Sequence, residues 1–101
     1  MTEKQLSDVL LSIRTDVLLS RQNPRYLMDK YDMLFLGENC STINLIELRH
    51  SIKKCFDIDV EMNELLELTP KVCRSLNMKL EPLKSLPSNS DEIVSYLVTL
   101  I

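Results

Sequence analysis

The sequence predicts an all-α fold, a compact bundle of five to six short helices with residues 1–101 forming one domain. Three observations carry that expectation. Apolar residues recur at three- and four-residue spacing in segment after segment, as on one buried helix face. The chain holds one Gly, and none of the Asn-Gly or Asp-Gly pairs of tight hairpins occurs in it. Asn23-Pro24 and Thr69-Pro70 each set a capping side chain ahead of a proline, the order of a helix start.

Thr2 and Gln5 form a capping box for the first helix. Leu6, Val9, Leu10, Ile13 and Val17 are its stripe, widened by Leu11, Leu18 and Leu19, and it should end near Ser20 or Arg21. Asn23 caps the second helix, with Pro24 at the first position, where a missing N–H costs nothing. Leu27, Met28, Tyr31, Leu34 and Phe35 give that helix a face, and Gly37 follows as a left-handed terminator. Ser41 or Thr42 caps the third, which turns Leu45, Leu48, Ile52 and Phe56 inward and Arg49, His50, Lys53 and Lys54 largely outward. Residues 57–60 (Asp-Ile-Asp-Val) interrupt the pattern. Glu61 to Leu68 resumes as a short helix, and Thr69-Pro70 opens another that runs through Val72, Cys73, Leu76 and Leu80. Pro82 and residues 85–90 make a loop. Ser90, Asp91 and Glu92 then open a last helix with Ile93, Val94, Leu97, Val98, Leu100 and Ile101. Helix is therefore expected on both sides of Pro24, Gly37 and Pro70, with no strand.

Composition bounds the function. Apolar residues make up 45% and charged residues 27%, the balance of a globular protein and not of a disordered one. No apolar run is long enough to cross a bilayer, and the polar start, Met-Thr-Glu-Lys-Gln, does not resemble a signal peptide, so a cytoplasmic protein is expected. Cys40, Cys55 and Cys73 are odd in number and widely spaced, which is not a disulfide framework. With no Cys-x-x-Cys and His50 as the sole histidine, no metal site is expected.

Catalytic patterns are missing too. There is no Gly-rich phosphate loop and no Gly-x-Ser-x-Gly elbow. His50 and Cys55 are five apart on one expected helix, which points them in different directions. No enzyme and no cofactor is expected. A helix-turn-helix regulator would start its recognition helix at Thr69-Pro70, but that segment offers only Lys71, Arg74 and Lys79. The net charge is −3, whereas phosphate-binding domains are basic, so nucleic acid is not expected as a partner.

Two stretches resemble known families. Residues 41–69, with Ile-Glu-Leu, Phe-Asp-Ile-Asp-Val and Glu-Leu-Thr in order, resemble the second half of an acyl carrier protein. That resemblance would align the phosphopantetheine-bearing serine with Thr42, with Ser41 one place away. "STINLIELRHSI" and "LLELTPKVCRSL" are similar in order and spacing to small helical immunity proteins of contact-dependent growth inhibition systems, with Lys53-Lys54 where that family has Gly-Gln. This second resemblance implies a non-catalytic protein that covers the active site of a toxin.

Charge agrees with the second resemblance. Asp57, Asp59, Glu61, Glu64 and Glu67 form an acidic run with no base inside it, and the three glutamates step by three along one helix flank. Such a run suits a basic partner, for instance a nuclease cleft, because opposite fields speed encounter and fix register. The expected function is an immunity or antitoxin protein that neutralises a cognate toxin through these five residues. An acyl-carrier-like protein and a small secretion chaperone or adaptor are the alternatives.

Overall fold

The computed structural model describes residues 1–20, 22–84 and 92–101. Along them run α1 (Glu3–Leu19), α2 (Pro24–Tyr31), β1 (Thr42–Asn44), α3 (Leu45–Phe56), α4 (Met62–Leu76), β2 (Lys79–Lys84) and β3 (Ile93–Thr99). The strands form one antiparallel sheet in the order β1-β3-β2. The fold is therefore mixed α/β, and the expected all-α bundle of five to six helices is overturned.

The first two helices begin where their caps require. The Thr2 hydroxyl accepts from the Gln5 N–H, and the Gln5 side chain accepts from the Thr2 N–H, which completes the capping box. Leu6, Val9, Leu10, Ile13 and Val17 are all buried, as their spacing implies. Asn23 Oδ1 accepts from the Tyr26 N–H, and Pro24 occupies the first turn of α2. That helix stops at Tyr31, earlier than expected, because Asp32 takes a left-handed conformation. Gly37, at φ +85°, instead opens a turn that brings Leu36 and Thr42 into mutual backbone hydrogen bonds.

Three corrections follow from that turn. Ser41 and Thr42 do not cap α3; Asn44 does, its Oδ1 accepting from the Ile46 N–H at 3.0 Å. Thr42 lies in β1 opposite Thr99, and Ile43 pairs with Val98 in the core. The segment expected as the last helix is β3, with its expected opening at Ser90 and Asp91 outside the described residues. Its Ile, Val, Tyr and Thr content suits a pleated surface. Pro82 sits within β2, which is an edge strand; a row of its backbone groups has no neighbouring strand to serve, and proline is tolerated there.

The two helices expected on either side of Thr69-Pro70 are one, α4, with Pro70 inside it. A proline in a helix interior forfeits a hydrogen bond and costs about 3 kcal/mol. Burial of Leu65, Thr69, Val72 and Cys73 along one face offsets that cost. The Thr69 hydroxyl, fully buried, donates to the Leu65 carbonyl at 2.6 Å. Asn77, in the left-handed region, ends the helix and hands the chain to β2.

The order of elements has a clear meaning. A strand precedes a helix pair, a hairpin follows it, and the hairpin's second strand closes on the first strand. The helix pair is α3 and α4, enclosed in sequence between β1 and the β2–β3 hairpin. The helices α3 and α4 pack on the sheet, and α1 packs on α4 and α2. Side chains from all seven elements except β2 are fully enclosed between them, Leu10, Leu27, Ile43, Ile52, Leu65 and Val98 among them.

A polar clasp joins α1 to α2. Asp16 accepts hydrogen bonds from the Tyr31 hydroxyl and from Lys30 Nζ. Burial alone would raise the Asp16 carboxyl, but these two bonds outweigh it and hold the group below its ordinary value of 3.8. Burial, and then the bond to Asp16, pushes the Tyr31 phenol above its ordinary 10.0. The depressed acid stabilises the fold above its unfolded value and loses that contribution as pH falls through the folded one. The raised phenol contributes below its unfolded value and loses its contribution as pH rises. A stability plateau between about pH 4 and pH 10 is expected from this pair. Asp16→Asn should cost about 2 kcal/mol in urea unfolding at pH 7 and flatten the acid limb. An unchanged acid limb would remove the clasp from the account.

Candidate protein-interaction surface

The acidic run lies where α3 turns into α4. Asp57 ends α3 in the left-handed region, its N–H bonded to the Ile52 carbonyl, and Glu61 leads into α4 without a side-chain capping bond. Between them Val60 is buried, and Arg49 Nε donates to its carbonyl at 2.7 Å. That bond pins the turn to α3 and pushes the flanking acids outward. The Asp57, Asp59 and Glu61 side chains are 95%, 85% and 86% exposed.

The five acids do not form one uniform face. Glu64 turns toward α1 and pairs with the Met1 amino group at 2.5 Å. Glu61 turns toward α3, its Oε2 3.7 Å from Arg49 Nη2. Asp57 and Asp59 both reach Lys53, at 3.7 and 3.1 Å. Glu67 is exposed on α4. The acidic and basic patches, which the sequence places on separate sides, are interleaved on a single rim. Lys53 is held above its ordinary value, first by its hydrogen bond to Asp59 and then by that carboxylate's charge.

The rim continues along α3 toward α2. His50 Nε2 lies 2.8 Å and Lys54 Nζ 3.1 Å from Asp32 Oδ2, and the Asp32 carboxyl is lowered by His50 first and Lys54 second. A cleft of about 270 Å³ runs along this surface, lined by Ile46, Arg49, His50, Lys53, Asp59 and Val60. Ile46 is the residue that sequence reasoning missed. It is 56% exposed and lies off the buried stripe of Leu45, Leu48 and Ile52. The signal was present: positions 46, 49, 50 and 53 are spaced i, i+3, i+4, i+7, so one outward stripe begins with a large apolar residue and continues with bases.

The other chemistry-bearing side chains are dispersed. Among the described residues no cluster of three or more His, Cys, Asp or Glu could hold a metal. Cys73 is buried, and burial pushes its thiol up to about 11; Cys40 is half-buried and Cys55 exposed. Cys55 Sγ lies 3.4 Å from the Lys30 carbonyl, while His50 is engaged by Asp32. No family model, curated protein or solved structure matches the chain. No helix among the described residues is long and apolar enough to cross a membrane.

Ser41 and Thr42 bear on the carrier-protein alternative. Ser41 is 6% exposed, and Thr42 Oγ1 lies 3.2 Å from Thr99 Oγ1 across the β1–β3 pair. Neither presents a hydroxyl on an exposed helix start. Incubation with a phosphopantetheinyl transferase and coenzyme A is expected to leave the intact mass unchanged. A mass gain that disappears in Ser41→Ala or Thr42→Val would restore the carrier reading.

Proposed function

We propose that this chain is a non-enzymatic protein-binding domain that neutralises a cognate toxin in the cytoplasm by covering a basic active site. One observation carries the reading. Glu61 stands at the N-cap of α4, and Glu64 and Glu67 follow in the leading half of that helix. Asp57 and Asp59 extend that acidity into the turn before it. Phosphate would be repelled from this end of α4, whereas a basic protein surface would be attracted. The bases Lys71 and Arg74 lie in the second half of the same helix, where a helix dipole also favours them.

The resemblance to immunity proteins supports the same reading through its order of motifs. The helical character that it implied does not hold, because the chain contains the β1-β3-β2 sheet. A secretion chaperone or adaptor would use the same rim, and the identity of the partner separates the two.

The test is charge reversal against any toxin-type protein encoded in a reading frame next to that of this chain, read as growth protection and association rate. Single changes of Asp59 or Glu67 to Ala, and of Asp57 to Asn, which tolerates the left-handed region, should alter folding by no more than about 0.5 kcal/mol. Reversing all three to Lys should slow association and abolish protection, since like charges at an interface cost several kcal/mol. Wild-type association should slow as salt passes about 0.1 M, where the screening length is about 10 Å. A folded triple reversal that protects as well as the wild type would overturn the site.

A further inference from the structure

Gln5, Asp8 and Ser12 step by three and four along one flank of α1, and Asp16 continues the row. At Asp16 the row meets an aromatic ring and a cation. Lys30 Nζ lies 2.7 Å from Asp16 Oδ2 and 5.5 Å from the centroid of the Tyr31 ring, so a carboxylate and a π face share one ammonium. The Phe56 ring lies nearly parallel to that of Tyr31, at 15° with centroids 6.5 Å apart. About two turns back along α1, Asp8 and Phe56 line one groove of about 350 Å³. Val9 and Ile58 are its other apolar walls, and Gln5 and Ser12 complete its lining. A carboxylate and an aromatic ring thus come together twice along this flank. A basic side chain joins them at Asp16. At Asp8 none does: among the described residues Asp8 has no ion pair, and no base lines the groove.

We propose that this groove receives one arginine side chain of a basic protein partner. The guanidinium would take the Asp8 carboxylate and lie against Phe56, and the aliphatic stem would cover Val9 and Ile58. Three observations select that occupant. The one charged group of the lining, Asp8, is negative and exposed, and it has no intramolecular cation to give up. The walls are apolar, which suits a weakly hydrated planar cation on a methylene stem better than a compact ammonium. Phe56 and Ile58 alternate in the chain with Asp57 and Asp59, whose side chains are 95% and 85% exposed, so a basic surface drawn to that turn has the groove beside its point of contact. An arginine held in a pocket is also the kind of anchor that supplies a large share of an interface's binding energy. The inference rests on the reading of the chain as a binder of a basic protein surface, and it names what that surface inserts.

The experiment is a nuclear magnetic resonance titration of the full chain with N-acetyl-arginine methylamide, beside the matching derivatives of lysine, norleucine and glutamate. The arginine probe should give saturable amide shifts at Val9, Phe56 and Ile58. The lysine probe should bind more weakly, and the norleucine and glutamate probes should not saturate. Asp8→Asn should weaken the arginine probe by about threefold or more, and Phe56→Leu, which keeps an apolar wall, should do the same. Asp8 is exposed, and unchanged amide dispersion away from the groove shows that each variant folds. Absent saturation, equal binding of the norleucine or lysine probe, tighter binding of the glutamate probe, or an arginine affinity unmoved by Asp8→Asn overturns the proposal. The two readings fail separately. If the acidic triple reversal protects as well as the wild type while the arginine probe behaves as expected, the acidic site fails and the groove stands. If that reversal abolishes protection and the arginine probe gives no saturable shift, the acidic site stands and the groove fails.

Discussion

Strand β3 holds the molecule together. It lies between β1 and β2 and pairs with both, so the last described segment of the chain fixes the start of α3 and the end of α4 in one sheet. Ile43 and Leu80 both face Val98 across it, and Val98 and Ile43 are fully buried. A polar joint reinforces the apolar one. Ser95, fully buried, donates from Oγ to Asn44 Oδ1 at 2.7 Å, and the same oxygen caps α3. One carboxamide thus ties β3 to the point where β1 becomes a helix. A buried hydroxyl left without that partner would cost about 1–3 kcal/mol.

From that joint the exposed rim follows. The axis of α3 is set at its first turn by Asn44, and its inner stripe of Leu45, Leu48 and Ile52 rests on the core. The outward stripe then has to carry Ile46, Arg49, His50 and Lys53. Arg49 reaches over to the Val60 carbonyl, and the acidic turn is held against the bases that border it. Interleaving sets each of Arg49, His50 and Lys53 beside a carboxylate, so the rim alternates in sign along α3. Because these pairs are exposed, they add little to the stability of the chain itself.

Much of the helical part was legible in the sequence, and the sheet was not. Thr2, Gln5, Asn23 and Pro24 mark helix starts with local chemistry that no distant contact alters. The strands escaped for three separate reasons. A central strand with Leu97 half-buried on one face and Val98 buried on the other shows no clean alternation, so Ile93 to Ile101 fits a helical spacing as readily. Pro82 argues for a loop unless the strand is known to be an edge. The scarcity of glycine excludes tight hairpins, but β1 reaches its partner only after two helices, and residues 85–92 separate β2 from β3. At Thr69-Pro70 a local helix-start signal lost to burial of the surrounding face. The acids of the candidate site were legible as a run; their division among Met1, Arg49 and Lys53 was not, since it depends on how α1, α3 and α4 meet.

The most direct test of this account is the through-space proton contact map of residues 93–99 by nuclear magnetic resonance. Cross-strand contacts are expected from Val98 to both Ile43 and Leu80, and from Leu97 to Asn44 and Glu81, following the pairing register. Strong successive amide–amide contacts through these residues, with none to β1, would mark a helix and contradict it.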